Sequence, residues 1–263
     1  MRCEKSKIMI FGATGYFGTY MVKASASSAH PTFVYVRPVK PHHPPSKTQL
    51  LSPWELLFLW ENWMSTKSLL SPLPPFQTCC DKKKLIRRAA EESGIPYTFV
   101  SANSFGAYFV NSLLHPYDQN LKKVTVYGTV GCNYEKDIAE YTVKAATDER
   151  AENGLIIYRL PKNVITQLDL ISRWERKTGR TMEKTFISDK EMVKLSQSSP
   201  FPEAVGIAIF HSIFVKGEQM NYELKEDDLD AVELYPDYDY TTVDQLLDIF
   251  VVDPPERGVA AFQ

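Results

Sequence analysis

An α/β fold built on a parallel sheet is predicted by three features of this sequence. The apolar run Ile8–Phe11 passes directly into Gly12-Ala13-Thr14-Gly15-Tyr16-Phe17-Gly18, and helix-like Tyr20–Ala24 follows. A second apolar run, Thr32–Val36, comes next and ends at Arg37. Further along, strand-like runs alternate with helix-like ones, the order of βαβ units.

A buried strand running into glycines spaced G-x-x-G-x-x-G opens a dinucleotide-binding unit. Gly12 permits the tight turn, Gly15 lets the backbone approach a pyrophosphate, and Gly18 lets the next helix pack closely. The helix N-terminus then offers free N–H groups and the positive end of its dipole. In such a fold the end of the second strand reads the adenosine ribose. An acidic residue there accepts from the 2′-hydroxyl, whereas an arginine holds a 2′-phosphate. Arg37 therefore points to NADPH rather than NADH, its alternative being a solvated strand-end arginine.

Bulk composition narrows the class. A net charge of −2 over 263 residues argues against a general nucleic-acid binder. The longest apolar runs, such as Leu56–Trp60, are far too short for a membrane span. The N-terminus lacks the apolar stretch of a signal peptide, so a cytoplasmic address is expected. Cys3, Cys79, Cys80 and Cys132 match no zinc spacing, and the histidines do not cluster as ligands, so no metal is expected.

From Pro38 to Pro45 the chain is a proline-rich loop. Leu50–Leu70 carries Trp54, Trp60 and Trp63 with no clean period, and more prolines follow at Pro72, Pro74 and Pro75. No convincing strand–helix unit lies between Arg37 and Asp81, although Leu56–Trp60 could serve as one strand. Order returns at Asp81, which opens a basic helix stopped by Gly94 and Pro96. Tyr97–Val100 reads as a strand with Ser101–Phe105 at its ligand-binding end. Helix Phe105–Leu114, strand Val124–Tyr127, helix Asp137–Thr147, strand Leu155–Tyr158 and helices Thr166–Lys177, Asp189–Leu195, Ala204–Val215 and Thr241–Val251 complete the pattern.

Specific segments carry a family resemblance. KIMIFGATGYFG, TFVYVRP, KKKLIRRAAEESGIPYTFVSANSFGAYFVN, NYEKDIAEYTVKAATDERA, VITQLDLISRWERKTG, HSIFVKG and LYPDYDYTTVDQLLDIFVVDPP resemble the NADPH-dependent phenylpropanoid reductases of plants. These are atypical short-chain dehydrogenases with an NmrA-like fold, and include isoflavone reductases, phenylcoumaran benzylic ether reductases and eugenol/isoeugenol synthases. VSANSFGAYF and the C-terminal segment look most like eugenol synthase, while HSIFVKGEQMNYEL leans toward the benzylic ether reductases.

The resemblance implies roles residue by residue. Lys83 is the general base, although composition alone makes it one more lysine on a basic helix face. Thr14, Tyr16 and Phe17 stand with the three glycines in the cofactor loop, and Lys47 and Lys84 join Arg37 on the cofactor. Asn103, Ser104 and Phe105 lie along the nicotinamide. Tyr108, Ile209 and Ile213 line the substrate pocket; by itself Tyr108 reads equally as a core aromatic, and by composition Ile209 and Ile213 read more simply as the apolar face of a helix. His211 reads as structural. The implied reaction is reductive loss of a leaving group from an ester such as coniferyl acetate. A phenol ionises only near pH 10, so a lysine tuned by partial desolvation would take its proton.

The resemblance lapses between about residues 49 and 75, where roughly fifty residues of the usual three-layer unit are missing. The intervening segment suits out-of-frame translation or a misjoined exon, a hypothesis that an intact in-frame transcript would sink. The family loop is also a few residues longer than Gly128-Thr129-Val130-Gly131-Cys132. The expected organisation is a Rossmann-like domain over 1–160, short of central strand–helix units, and a smaller, mainly helical substrate domain over 161–263. Alternatives are a benzylic ether or isoflavone reductase, a non-catalytic NADP-binding protein and an inactive truncated family member. A monomer or homodimer with a small phenylpropanoid substrate is expected.

Overall fold

The computed structural model describes residues 5–35, 58–59, 85–118, 122–200, 203–217 and 223–255. They fall into two units. The first draws on the Met1–Ser71 stretch together with Ile138–Asp148, and the second on Pro72–Asp137 and Glu149–Gln263.

In the first unit, strand β1 (Ile8–Phe11) leads through the glycine turn into helix α1 (Tyr16–Ser27), then into β2 (Thr32–Tyr35). β1 and β2 pair in parallel, Ile10 opposite Val34. Ile10, Ala13, Val22 and Val34 form a buried cluster between the strands and the helix. A second cluster joins Ala24 to Ala139 and Val143. The small residue Ala24 allows that close approach, and Ser25 is buried beside it with its hydroxyl 2.7 Å from that of Thr32. A two-residue strand, β3 (Phe58–Leu59), extends the sheet by pairing in parallel with Val34 and Tyr35. The strand expected within Leu56–Trp60 thus takes this form.

In the second unit, a helix over 85–92 (α2) precedes β4 (Thr98–Ser101). Gly94 stops that helix at φ +68°, a conformation glycine adopts without strain. β4 pairs in parallel with β8 (Gly154–Ile157), and β8 with β11 (Asp228–Asp230). After β4 come β5 (Ser104–Phe105) and α3 (Gly106–Leu114). β6 (Lys123–Val126) pairs with β10 (Glu183–Phe186), and β7 (Thr129–Asn133) lies between β5 and β9 (Val164–Thr166). The residues read from sequence as a shortened loop, Gly128–Cys132, therefore largely form a strand. Its pairing partners are distant in the chain, so the local sequence carries no sign of it.

Helix α4 (Glu135–Ala145) contributes its first turn to the second unit and the rest to the first. α5 (Gln167–Thr178) packs on α9 (Val243–Val252) through buried Leu170, Ile171, Trp174, Leu246, Leu247 and Phe250. Arg173–Asp244 and Lys177–Asp248, each four residues on, pair across the rim of that contact. α6 (Asp189–Ser198) and α9 begin with full capping boxes, Ser188 with Glu191 and Thr242 with Gln245. α8 (Ala231–Leu234) is one turn capped by Asp230. The helix expected over Ala204–Val215 divides: α7 (Glu203–Phe210) is α-helical, and His211–Val215 widens into a π turn with Lys216 N–H bonded to the His211 carbonyl.

Candidate functional site

The glycine turn of the first unit has the geometry its spacing predicts. Gly12 sits at φ +73°, and Gly15 N–H donates to its carbonyl at 2.9 Å. A Cβ on Gly18 would lie 2.0 Å from the Gly12 carbonyl oxygen, and one on Gly15 3.2 Å from it. Gly18 is thus demanded by helix-on-turn packing, while Gly15 keeps the helix mouth clear. Gly15 is also the N-cap of α1, and it has no side chain to bond the first turn. Thr14 and Gly15 are exposed, and Tyr16 and Phe17 half-buried on the first helical turn. A glycine turn leading into a helix start of this kind fits a pyrophosphate. Arg37, Lys47, Lys83 and Lys84 lie outside the described residues.

In the second unit, the carboxyl end of β4 is tied down by two amides. Asn103, at φ +54°, donates through Nδ2 to the Tyr158 carbonyl at 2.7 Å. Asn133 donates to the same carbonyl at 3.0 Å and to that of Ala102 at 3.1 Å. Asparagine tolerates the left-handed conformation better than most residues, and here its side chain bonds the neighbouring strand's end. The turn delivers buried Ser104 and half-buried Phe105 into β5, where they pair with Cys132 and Asn133. Gly106 follows because a Cβ there would meet Leu246 Cδ2 at 2.8 Å and the Asn133 carbonyl oxygen at 3.1 Å.

The start of α3 has no side-chain cap of its own. Glu135, fully buried, supplies one from α4: its Oε2 accepts from Ala107 N–H and its Oε1 from Tyr108 N–H, both at 2.9 Å. Negative charge at a helix N-terminus is favourable, and two charge-assisted bonds offset part of its desolvation. Two residues on, buried Asp137 accepts from both the N–H and the hydroxyl of Thr241. Buried Asn163 donates to the Thr241 carbonyl and accepts from Val243 N–H, fixing the start of α9.

Tyr108 stands on the half-buried side of α3, next to an aromatic cluster. Phe109, Tyr127, Phe210 and Phe214 approach one another with ring centroids 5.3–5.8 Å apart. Burial pushes the Tyr127 phenol above its ordinary pKa, a bond with the Thr125 side chain partly opposing it. Ile209 is half-buried on α7 and Ile213 buried in the π turn. His211 pairs with Asp189 at 2.5 Å, in keeping with a structural histidine. Cys132 is buried, and burial, then the Glu135 charge, push its thiol up to about 12. The second unit thus collects Asn103, Ser104, Phe105 and Tyr108 along one continuous stretch, and holds Ile209 and Ile213 on the helix that joins the aromatic cluster.

Glu135, Asn133, Asp137 and Asn163 were not singled out from sequence. The first three sit in or beside NYEKD, and a run of polar residues gives no sign that they become buried. Among the described residues, no group of histidine, cysteine and carboxylate side chains could hold a metal, and no helix is long and apolar enough to cross a membrane.

A glycine turn between strand and helix, parallel pairing and a ligand-end turn after β4 define an α/β fold of the dinucleotide-binding kind. The chain belongs to the NmrA-like family, whose profile matches residues 57–247. It is 42% identical to isoeugenol synthase 1 of Petunia hybrida, covering all of this chain and 98% of the relative. That alignment runs over 319 positions against 263 residues here, so at least 56 positions have no counterpart in this chain. Phenylcoumaran benzylic ether reductase of Pinus taeda is 32% identical over 94% of this chain and 99% of its own. Isoflavone reductase, a solved structure, superposes with a TM-score of 0.80 at 28% identity, over 94% of this chain and 99% of that one. A leucoanthocyanidin reductase–NADPH complex from Vitis vinifera shares the fold, with a TM-score of 0.81 over 94% of this chain and all of that one, at 22% identity.

Proposed function

We propose that this protein is an NADPH-dependent reductase that converts a coniferyl acetate-type ester to isoeugenol or eugenol. The observation that carries the reading is the glycine turn, with Gly18 packed closely on Gly12 and glycine at the N-cap of α1. Gly12, Thr14, Gly15, Tyr16, Phe17 and Gly18 would hold the pyrophosphate. Arg37 and Lys47 would take the 2′-phosphate, and Lys84, Asn103, Ser104 and Phe105 the remainder. Bound there, NADPH would supply a hydride.

Lys83 removes the para-phenol proton of the substrate. The electron pair moves through the ring and expels acetate, leaving a quinone methide whose side chain would accept the hydride, and the resulting phenolate takes its proton back from Lys83. The balance is ester plus NADPH giving a phenol, acetate and NADP+. Tyr108, Ile209 and Ile213 orient the ring, so that part of the barrier is met by positioning. The isoeugenol synthases are the relatives at 41–42% identity, whereas a Petunia hybrida eugenol synthase and the benzylic ether reductase stand at 32%. That difference favours the propenyl product over both the allyl product and the ether reduction. Residues 1–160 would bind cofactor and 161–263 shape the substrate side, in a cytoplasmic monomer or homodimer.

The test is a thermal-shift titration with NADPH, with NADH as control, followed by product analysis with coniferyl acetate. A cooperative melt raised by NADPH alone, with isoeugenol formed, supports the reading. A melt indifferent to NADPH overturns it and leaves the family name as ancestry.

A further inference from the structure

Residues 102–108 are gripped along their length by the end of β7 and the start of α4. The Asn133 amide donates to the Ala102 carbonyl at 3.1 Å. Phe105 pairs in parallel with Asn133, as Ser104 does with Cys132. The Glu135 carboxylate then accepts from Ala107 and Tyr108 N–H, both at 2.9 Å. These are the second and third N–H groups of α3, the ones that an N-cap side chain ordinarily bonds. The N-cap position itself holds Phe105, whose side chain has no acceptor. Serine, threonine, asparagine or aspartate at that position would cap the helix locally. The chain places an aromatic ring there instead, and a fully buried glutamate, costly to desolvate, supplies the acceptor from another helix.

We propose that Glu135 is a positioning residue for the reduction: by capping α3 from α4 it leaves the N-cap position to Phe105 and fixes Tyr108 one turn on. The inference rests on the proposed function, which sets Phe105 on the nicotinamide and Tyr108 on the substrate ring. The two Glu135 bonds fall on the backbone that leads from one aromatic residue to the other. Each carboxylate oxygen takes one N–H, so the pair fixes the tilt of the first helical turn as well as its place. Asn133 holds the stretch as far as Phe105. Loss of the carboxylate therefore leaves the cofactor-facing residues anchored and lets Tyr108 drift. A displacement of about 1 Å can lower a rate by about 10²-fold.

The experiment measures coniferyl acetate turnover by full-length wild type, Glu135→Gln, Glu135→Ala and Asp137→Asn, at a temperature where circular dichroism shows them folded. Asp137 is the comparison: it too is buried on α4, and its carboxylate holds Thr241 ahead of α9. Glu135→Gln keeps one acceptor oxygen, and its kcat should fall about tenfold. Glu135→Ala keeps none, and its kcat should fall about 10²-fold. KM for NADPH should stay within about twofold of wild type in both, because the cofactor-facing residues keep their anchors. Asp137→Asn should melt lower than wild type and keep its kcat. A wild-type kcat in Glu135→Ala overturns the inference while leaving the proposed function intact. An equal loss of kcat in Asp137→Asn also overturns it, by tracing activity to stability alone. Failure of Glu135→Gln to fold overturns it as well, since the carboxylate would then serve the fold. Wild type inactive on the ester overturns the proposed function and this inference with it.

Discussion

The Glu135 carboxylate and the Tyr108 backbone N–H are 2.9 Å apart, and the other oxygen of that carboxylate binds Ala107 N–H at the same distance. A charge from one helix thus caps another, at the point where the chain leaves Phe105 for Tyr108. Removing it leaves two helix-start N–H groups unpaired, one buried and one part-buried. Glu135→Ala should lower stability by about 2–4 kcal/mol, and Glu135→Gln, which can satisfy only one N–H, by about half as much. Urea denaturation monitored by circular dichroism measures both. Equal stability of all three proteins would show that the cap contributes nothing.

The glycine turn separates two roles. Gly18→Ala places a Cβ 2.0 Å from a backbone oxygen that cannot give way, and should cost at least about 2 kcal/mol. Gly15→Ala meets the same oxygen at 3.2 Å, and its stability loss should stay below about 1 kcal/mol. The new methyl group would nevertheless obstruct the pyrophosphate approach, so the NADPH-induced thermal shift should shrink in Gly15→Ala while the melt of the free protein barely moves.

Gly128 stands before β7 with the Phe214 carbonyl oxygen 2.2 Å from its would-be Cβ, and its own carbonyl accepts from Gln167 N–H. It is held from both sides. Gly128→Ala should push the π turn outward and cost about 2–3 kcal/mol. Gly206→Ala, exposed on α7 with nothing within 4 Å, should instead stabilise by about 0.5–1 kcal/mol. Melting curves of the two variants should move in opposite directions.

The buried Cys132 thiol is an acid whose pKa is raised by folding, from 9.0 to about 12. The folded state favours the protonated form, so this contribution is complete below about pH 9 and is lost as pH rises from there toward 12. Cys132→Ala should therefore show a shallower alkaline decline in stability than wild type. In the native protein the Cys132 peptide should stay unlabelled by iodoacetamide at pH 8, and become labelled in denaturant. Rapid native labelling would contradict the burial.

Lys83→Ala should lower kcat on coniferyl acetate by about 10²–10⁴-fold, the range of general base catalysis, and leave the NADPH thermal shift in place. Turnover near wild type would remove Lys83 from the reaction.

Much of the fold was legible because its signals are local. Alternating runs such as Thr32–Tyr35 and the amphipathic Gln167–Thr178 carry their own periodicity, and Gly12 and Gly18 announce a turn that only glycine makes without strain. The π turn at His211–Val215 was not legible, because the same apolar residues serve an α-helix equally well. Strand β7 was hidden for a different reason: Thr129–Asn133 is a strand only because β5 and β9 lie on either side of it.

The sequence by itself determined the βαβ opening, the direction of its chemistry toward a phosphorylated dinucleotide, and the break in the pattern after Arg37. These depend on residue type at fixed spacing, which the chain carries in any conformation. Only the tertiary structure decided that Glu135 would cap α3 and that Asn103 and Asn133 would share the Tyr158 carbonyl. Burial and hydrogen-bond partners belong to pairs of residues brought together by folding, and no single stretch of sequence contains both members of the pair.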